Sequence, residues 1–370
     1  MFTYHVDDDI QLGFITGHEA ETVYALVDKN RSRLRRYFDW VDNYHDVDDW
    51  REHIQREKMA FAKGKNLPLT IHYQGAIVGG VTLAITDVWQ TKGDLNYWLD
   101  ADYSDKGIAL RSVRAVADYA FRVMQLNRIT IRATPDNTAS CALAEKLGFA
   151  LEGMLRQAEW LYDHFNDVNV YAMLRKDWTP VSDGVFEHRI DARLSLRLFE
   201  RRDASALFAL TDANREHIGE WLSWVQYNKN VADTRRFIEQ SLERFAREDG
   251  FQAGIYEDGV LVGSIGYLYW RFNQKRTEIG YWLSKDATGR GIITRATVAL
   301  IDYSFDVLEM NRVAIYCATG NVKSCAVPRR LGFHLDGVQR AAEILHDRYV
   351  DWNLFSMLRD EWIARREQLT

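Results

Sequence analysis

Glu278-Ile279-Gly280-Tyr281-Trp282-Leu283 and then Asp286-Ala287-Thr288-Gly289-Arg290-Gly291-Ile292 decide how this chain is read. The first run has the apolar content of a strand. The second is a Gly-x-Gly loop that enters an apolar-periodic stretch, Ile293–Leu308, with Ala296, Ala299, Leu300, Tyr303 and Val307 at helical spacing. A glycine pair before a helix N-terminus lets backbone N–H groups turn inward, where the helix adds unpaired donors and a partial positive charge. Such a loop suits an anionic group, and Arg290 adds a point charge. Taken alone the motif is weak, and a plain turn is the competing reading.

The same stretch occurs earlier. Tyr97-Trp98-Leu99 matches Tyr281-Trp282-Leu283, Asn137-x-x-Ser140 matches Asn321-x-x-Ser324, and Leu147-Gly148-Phe149 matches Leu331-Gly332-Phe333. Each pair is 184 residues apart, as are Met173-Leu174-Arg175 and Met357-Leu358-Arg359. A constant offset this long means two tandem copies of one domain, since solenoid repeats run to roughly 20–50 residues. With 370 residues, each copy can bury its own core. Trp178-Thr179-Pro180-Val181-Ser182-Asp183-Gly184 is the loop-rich join, so the domains are expected at 1–182 and 183–370.

Within the second copy, strands are expected at about Arg193–Phe199, Phe251–Tyr256, Val260–Tyr269, Thr277–Leu283, Arg312–Ala318, Phe333–Arg340 and Tyr349–Leu358. Helices are expected over Ala204–Asn214, Ala232–Arg247 and Val322–Leu331 as well as the long one. Glu257-Asp258-Gly259 has hairpin-turn chemistry, and Gly332 reads as a helix C-cap. The fold class is α/β, each copy a mixed sheet flanked by helices.

The composition, 47% hydrophobic and 27% charged, is globular, and the net charge of −6 gives no support to a nucleic-acid binder. Mild acidity suits a cationic substrate such as an amine. Cys141, Cys317 and Cys325 show no metal spacing and no even disulfide framework, which points to a reducing compartment. The start of the chain lacks signal-peptide character, and no run approaches 18 apolar residues. A cytoplasmic protein without metal or membrane span is the expectation.

The order Glu278–Leu283, Gly289-x-Gly291, Asn321-x-x-Ser324 and Leu331-Gly332-Phe333 resembles the GNAT superfamily, and more closely its RimJ/RimL, ribosomal-protein N-acetyltransferase branch. The resemblance covers nearly all of both halves. It implies two tandem GNAT-like domains, each with a mixed, mainly antiparallel twisted sheet, and acetyl-CoA as cosubstrate. It implies that Trp282 and Leu283 pair with the pantetheine arm. Thr288, Gly289, Arg290, Gly291, Ile292, Ile293 and Thr294 would then carry the pyrophosphate, and Asn321 the cofactor's amide backbone. Asp286 departs from the Gln or Arg common in the wider superfamily.

Acetyl transfer to an amine must remove a proton from an ammonium and give one to the leaving thiolate. The resemblance makes Ser324 the general acid and Glu343 the general base, with Glu278 in reserve. Ser324 as an N-cap or helix-start hydroxyl, Asn321 as a turn residue, Glu343 as a solvated strand residue and Glu278 as a strand-end surface acid are the plainer alternatives. Trp224 and Tyr227 are candidates for lining an amine or peptide pocket. The acceptor is either a protein N-terminus or a small amine. The family often pairs, so the two halves are expected to form an intramolecular pseudo-dimer. A non-catalytic acyl-CoA-binding or interaction protein with this fold is the alternative function.

The copies differ where it matters. Asp105 replaces Gly289 and Asn96 replaces Gly280. A non-glycine residue resists positive φ, and a carboxylate at about 5 Å from a phosphate charge costs roughly 3 kcal/mol at an effective dielectric near 20. The first copy is therefore expected to bind acetyl-CoA poorly or not at all, although Ser140, Glu159 and Asn137 persist. In the second copy, Pro328 stands in place of Ala144 inside an expected helix, where an interior proline costs about 3 kcal/mol. So short a helix leaves room for Pro328 to fall near the first turn.

Overall fold

The computed structural model describes residues 1–87 and 91–367; the last three residues of the expected second domain lie outside it. The chain divides into two compact units, one of Phe2–Phe186 and one from Glu187 onward.

The first unit holds β1 (Thr3–His5), β2 (Ile10–Phe14), β3 (Asn66–Tyr73), β4 (Ala76–Asp87), β5 (Lys92–Leu99), β6 (Arg128–Ala133), β7 (Ala150–Leu161) and β8 (His164–Leu174). They form one sheet in the order β1-β2-β3-β4-β5-β6-β8-β7. The second unit holds β9 (His188–Arg189), β10 (Leu194–Leu198), β11 (Phe251–Glu257), β12 (Val260–Arg271), β13 (Arg276–Leu283), β14 (Arg312–Ala318), β15 (His334–Leu345) and β16 (Arg348–Leu358). Its sheet repeats the topology, β9-β10-β11-β12-β13-β14-β16-β15. Neighbours are antiparallel except β5 with β6 and β13 with β14. Each is a mixed sheet flanked by helices, as the sequence pattern requires.

The hairpin β11–β12 turns at Asp258 (φ 50°) and Gly259 (φ 79°), the two positive φ values that a two-residue turn of type I′ demands. The core of the second unit is built from alternate positions of these strands, with Ile255, Ile265, Tyr267 and Ile279 buried beneath Leu300 and Phe305. Phe251, Tyr267 and Trp270 add edge-on ring contacts.

Two elements differ from the sequence expectation. The long helix is α-helical only over Ile292–Asp302 and continues as a π-turn over Tyr303–Val307. The cause is a buried hydroxyl: Tyr267 donates to the Leu300 carbonyl, which also accepts from Ser304 Oγ at 2.7 Å. A carbonyl drawn into side-chain bonds loosens the i→i−4 ladder. The corresponding residues in the first unit are Leu83 and Ala120, and there the helix runs unbroken over Ile108–Arg122. The helix Arg359–Glu367 was not anticipated; its Trp362 is buried and donates to Asp302 at 2.8 Å.

Candidate functional site

β13 and β14 share register only over Arg276–Glu278 with Arg312–Ala314. Beyond that point, among the described residues, they part, and the divergent edges Ile279–Leu283 and Ile315–Ala318 both face one cavity of about 1790 Å³. Pockets for a single drug-sized ligand run to roughly 300–1,000 Å³, so this space has room for two reactants. The fork exists because a parallel pair has no tight turn to hold its far end together, while β12 and β16 claim the outer edges of the two strands.

At the mouth, Gly289 (φ 80°) and Gly291 (φ 71°) are both left-handed, and a Cβ on either would meet no protein atom within 4 Å. Gly291 caps the helix Ile292–Asp302 without a side-chain bond. The loop therefore presents backbone N–H groups to open space, which fits an anion such as a pyrophosphate. Thr288 through Thr294 all border the cavity, as do Trp282, Leu283 and Asn321. Arg290 is turned away in part, pairing with Glu257 at 2.7 Å. Arg330, which sequence reasoning missed, borders the same mouth and donates to Thr294 Oγ1 at 2.7 Å.

Glu278, Ser324 and Glu343 line this one cavity. Glu278 sits opposite a bulge: the β12 register slips between Tyr267 and Tyr269, leaving Leu268 without a partner in β13. Burial pushes the Glu278 carboxyl up to about 7, and among the described residues it has no hydrogen bond or ion pair. Glu343 follows the irregular stretch of β15 between Gln339 and Glu343 and accepts from Ser223 Oγ at 2.7 Å. Asn321, not Ser324, is the helix N-cap, its Oδ1 accepting from the Ser324 N–H at 3.0 Å. The Ser324 hydroxyl lies beside Tyr281 and Cys317. Burial, with Cys325 alongside, pushes the Cys317 thiol up, so it stays protonated at neutral pH. Trp224 and Tyr227 also border the cavity. Pro328 is the seventh residue of the helix Val322–Leu331, well inside it and not in the first turn.

The first unit keeps the fork, with β5 and β6 paired only over Lys92–Asp94 and Arg128–Thr130. Its polar groups, however, are tied to one another. Thr130 donates to Asp94, where the second unit has Ala314 beside Glu278. Arg132 pairs with Glu159 at 3.1 Å, where the second unit has Tyr316. The Tyr97 and Ser140 hydroxyls bond to each other at 2.8 Å. Arg33 donates to the Leu99 carbonyl, part of the edge that the fork exposes. Asp105 adopts φ 61° despite its side chain, so the expected conformational resistance is overcome and the loop shape is kept. Aspartate tolerates the left-handed region better than most residues.

The acetyltransferase (GNAT) domain model matches residues 11–150 and again residues 193–334. The chain belongs to the GNAT acetyltransferase family. It is similar to the putative ribosomal N-acetyltransferase YdaF of Bacillus subtilis, 38% identical over 180 residues, which is 48% of this chain and 98% of that protein. It is 27% identical over 172 residues to the ribosomal-protein-serine acetyltransferase of Escherichia coli, covering 46% of this chain and 96% of that one. Among solved structures, a probable acetyltransferase matches at 36% identity and a TM-score of 0.45, over 48% of this chain and 99% of that one. RimL, the ribosomal L7/L12 alpha-N-protein acetyltransferase, in complex with coenzyme A, matches at 26% and 0.46, over 47% and 99%. Each relative spans about one unit of this duplicated GNAT protein, and acetyl-CoA is the cosubstrate of the family. Among the described residues no cluster of His, Cys, Asp or Glu is arranged to hold a metal, and no helix is long and apolar enough to cross a membrane.

Proposed function

We propose that the C-terminal unit transfers an acetyl group from acetyl-CoA to a primary amine, and that the N-terminal unit does not turn over. The observation that carries this reading is the contrast in Glu278, unpartnered in a cavity and poised near neutral pH, against Asp94, engaged by Thr130. Acetyl-CoA would be held by the Gly289–Thr294 loop and by the edge at Trp282 and Leu283, and it supplies the activated acyl group.

Glu278 is the base in this reading, because a base works best with a pKa near the working pH. Glu343, fixed by Ser223, would hold the incoming ammonium. Ser324 would supply the proton that the departing sulfur needs. As the N–C bond forms, the C–S bond breaks with its electron pair on sulfur. Two protons leave the nitrogen. Glu278 takes the first from the ammonium before attack and gives it to solvent, then takes the second as the amide forms. Ser324, having protonated the sulfur, is reprotonated, so one proton is matched at sulfur and one goes to solvent. The acceptor class in this reading is a protein amine, in line with the ribosomal-protein-serine acetyltransferase to which the chain is similar.

Calorimetric titration of acetyl-CoA into the full chain, followed by an acetylation assay on peptide and polyamine acceptors, tests this. One binding site per chain and acetylated peptide are expected. Two equivalent sites would defeat the assignment to one unit, and binding without acetylation of any amine would favour the non-catalytic alternative.

A further inference from the structure

Pro328 is buried inside the helix Val322–Leu331 and has no N–H. In an α-helix that N–H would bond to the carbonyl four residues back, which is Ser324. The Ser324 carbonyl is thus left open, and the Tyr281 hydroxyl donates to it at 3.2 Å. In the first unit the same position is Ala144, whose N–H is intact. There the tyrosine goes elsewhere, and the Tyr97 hydroxyl bonds to the Ser140 hydroxyl at 2.8 Å.

We propose that Pro328 is a positioning residue that decides which hydroxyl of the Tyr281–Ser324 pair keeps a transferable proton. This rests on the reading of Ser324 as the proton donor. A phenol has one hydrogen. Once Tyr281 spends it on the Ser324 carbonyl, it can face the serine only as an acceptor, and the serine proton is the one left to move. That proton goes to the sulfur as the C–S bond breaks. Replacing the proline with alanine gives the carbonyl its amide proton back and releases the Tyr281 hydroxyl to bond directly with Ser324 Oγ, as Tyr97 does with Ser140. The competing donor then blocks the serine. The proline that costs helix stability is explained by this selection.

The test is a double-mutant cycle on the full chain with Pro328→Ala, Tyr281→Phe and both together. Alanine is compatible with this helix, since Ala144 occupies the position in the first unit. Urea unfolding should show non-additive effects, with Tyr281→Phe lowering the midpoint in the parent chain and lowering it less in the Pro328→Ala background. Steady-state kinetics should show kcat reduced about fivefold to tenfold in Pro328→Ala, the scale of one misdirected hydrogen bond, with KM for acetyl-CoA unchanged. Adding Tyr281→Phe should restore kcat toward the parent. Additive midpoints alongside a crippled Ser324→Ala would overturn the link to Pro328 alone. Full kcat in Ser324→Ala would overturn the acid reading and the catalytic claim with it. Loss of kcat in Tyr281→Phe that the Pro328→Ala background does not relieve would make Tyr281 the donor and refute the proposal.

Discussion

Replacing Glu278 with glutamine should stabilise the protein and disable it together. The carboxyl is raised from 4.5 to about 7 by burial alone. Each unit of pKa is worth 1.36 kcal/mol, so ionising it in the folded state costs about 3 kcal/mol. The sign follows from linkage. The folded pKa lies above the unfolded one, so between 4.5 and 7 the folded state binds more protons, and stability falls as pH rises through that window. Above pH 7 the full penalty is in force; below 4.5 the group is neutral in both states. Glu278→Gln removes the penalty without changing shape. The variant should unfold about 6–12 °C higher than the parent at pH 8, on the 2–4 °C per kcal/mol typical of a unit this size, and nearly with it at pH 4.5. Thermal unfolding at both pH values reads this directly. In parallel, the limb of the kcat/KM profile near pH 7 should vanish and kcat fall by about 10²- to 10⁴-fold. A difference in melting temperature that does not change with pH would refute the desolvation argument. Retained activity with the same limb would hand the base role to Glu343.

Two further outcomes are expected. Gly289→Asp should weaken acetyl-CoA binding by about 100-fold in calorimetry while the fold survives. A Cβ there meets no protein atom within 4 Å, and positive φ costs about 1 kcal/mol, whereas a carboxylate against a pyrophosphate costs roughly 3 kcal/mol. Ser223→Ala should raise KM for the amine acceptor about tenfold with kcat little changed, because it removes the 2.7 Å hydrogen bond that orients Glu343.

The duplication, the strand before the Gly-x-Gly loop and the helix behind it are legible because they are local patterns of periodicity and punctuation. What decides the site is not local. The partner of Glu278 is set by the β13–β14 register, which places it opposite Ala314, and no window of sequence contains both. Comparing the copies at that offset would have exposed Ala314 against Thr130 as the difference that frees the carboxylate. Ser223 and Glu343 are 120 positions apart and meet only through the fold. The π-turn depends on Tyr267, a strand residue whose hydroxyl reaches across to a helix carbonyl. Asp105 shows the reverse error, a local rule about side chains and positive φ overridden by the surrounding loop.

The fork between β13 and β14 has a consequence beyond chemistry. Among the described residues the β13–β14 ladder ends at Glu278 and Ala314, so the two edges beyond it offer main-chain donors and acceptors to whatever is laid between them. A cosubstrate that fills the fork completes a piece of secondary structure, and its binding free energy is added to the folding free energy, about 2.7 kcal/mol at a hundredfold excess over Kd. With acetyl-CoA in the fork as proposed, the stability of this protein would follow its supply of acyl donor: plenty would keep the sheet closed, and starvation would leave an edge open to proteases and to other chains.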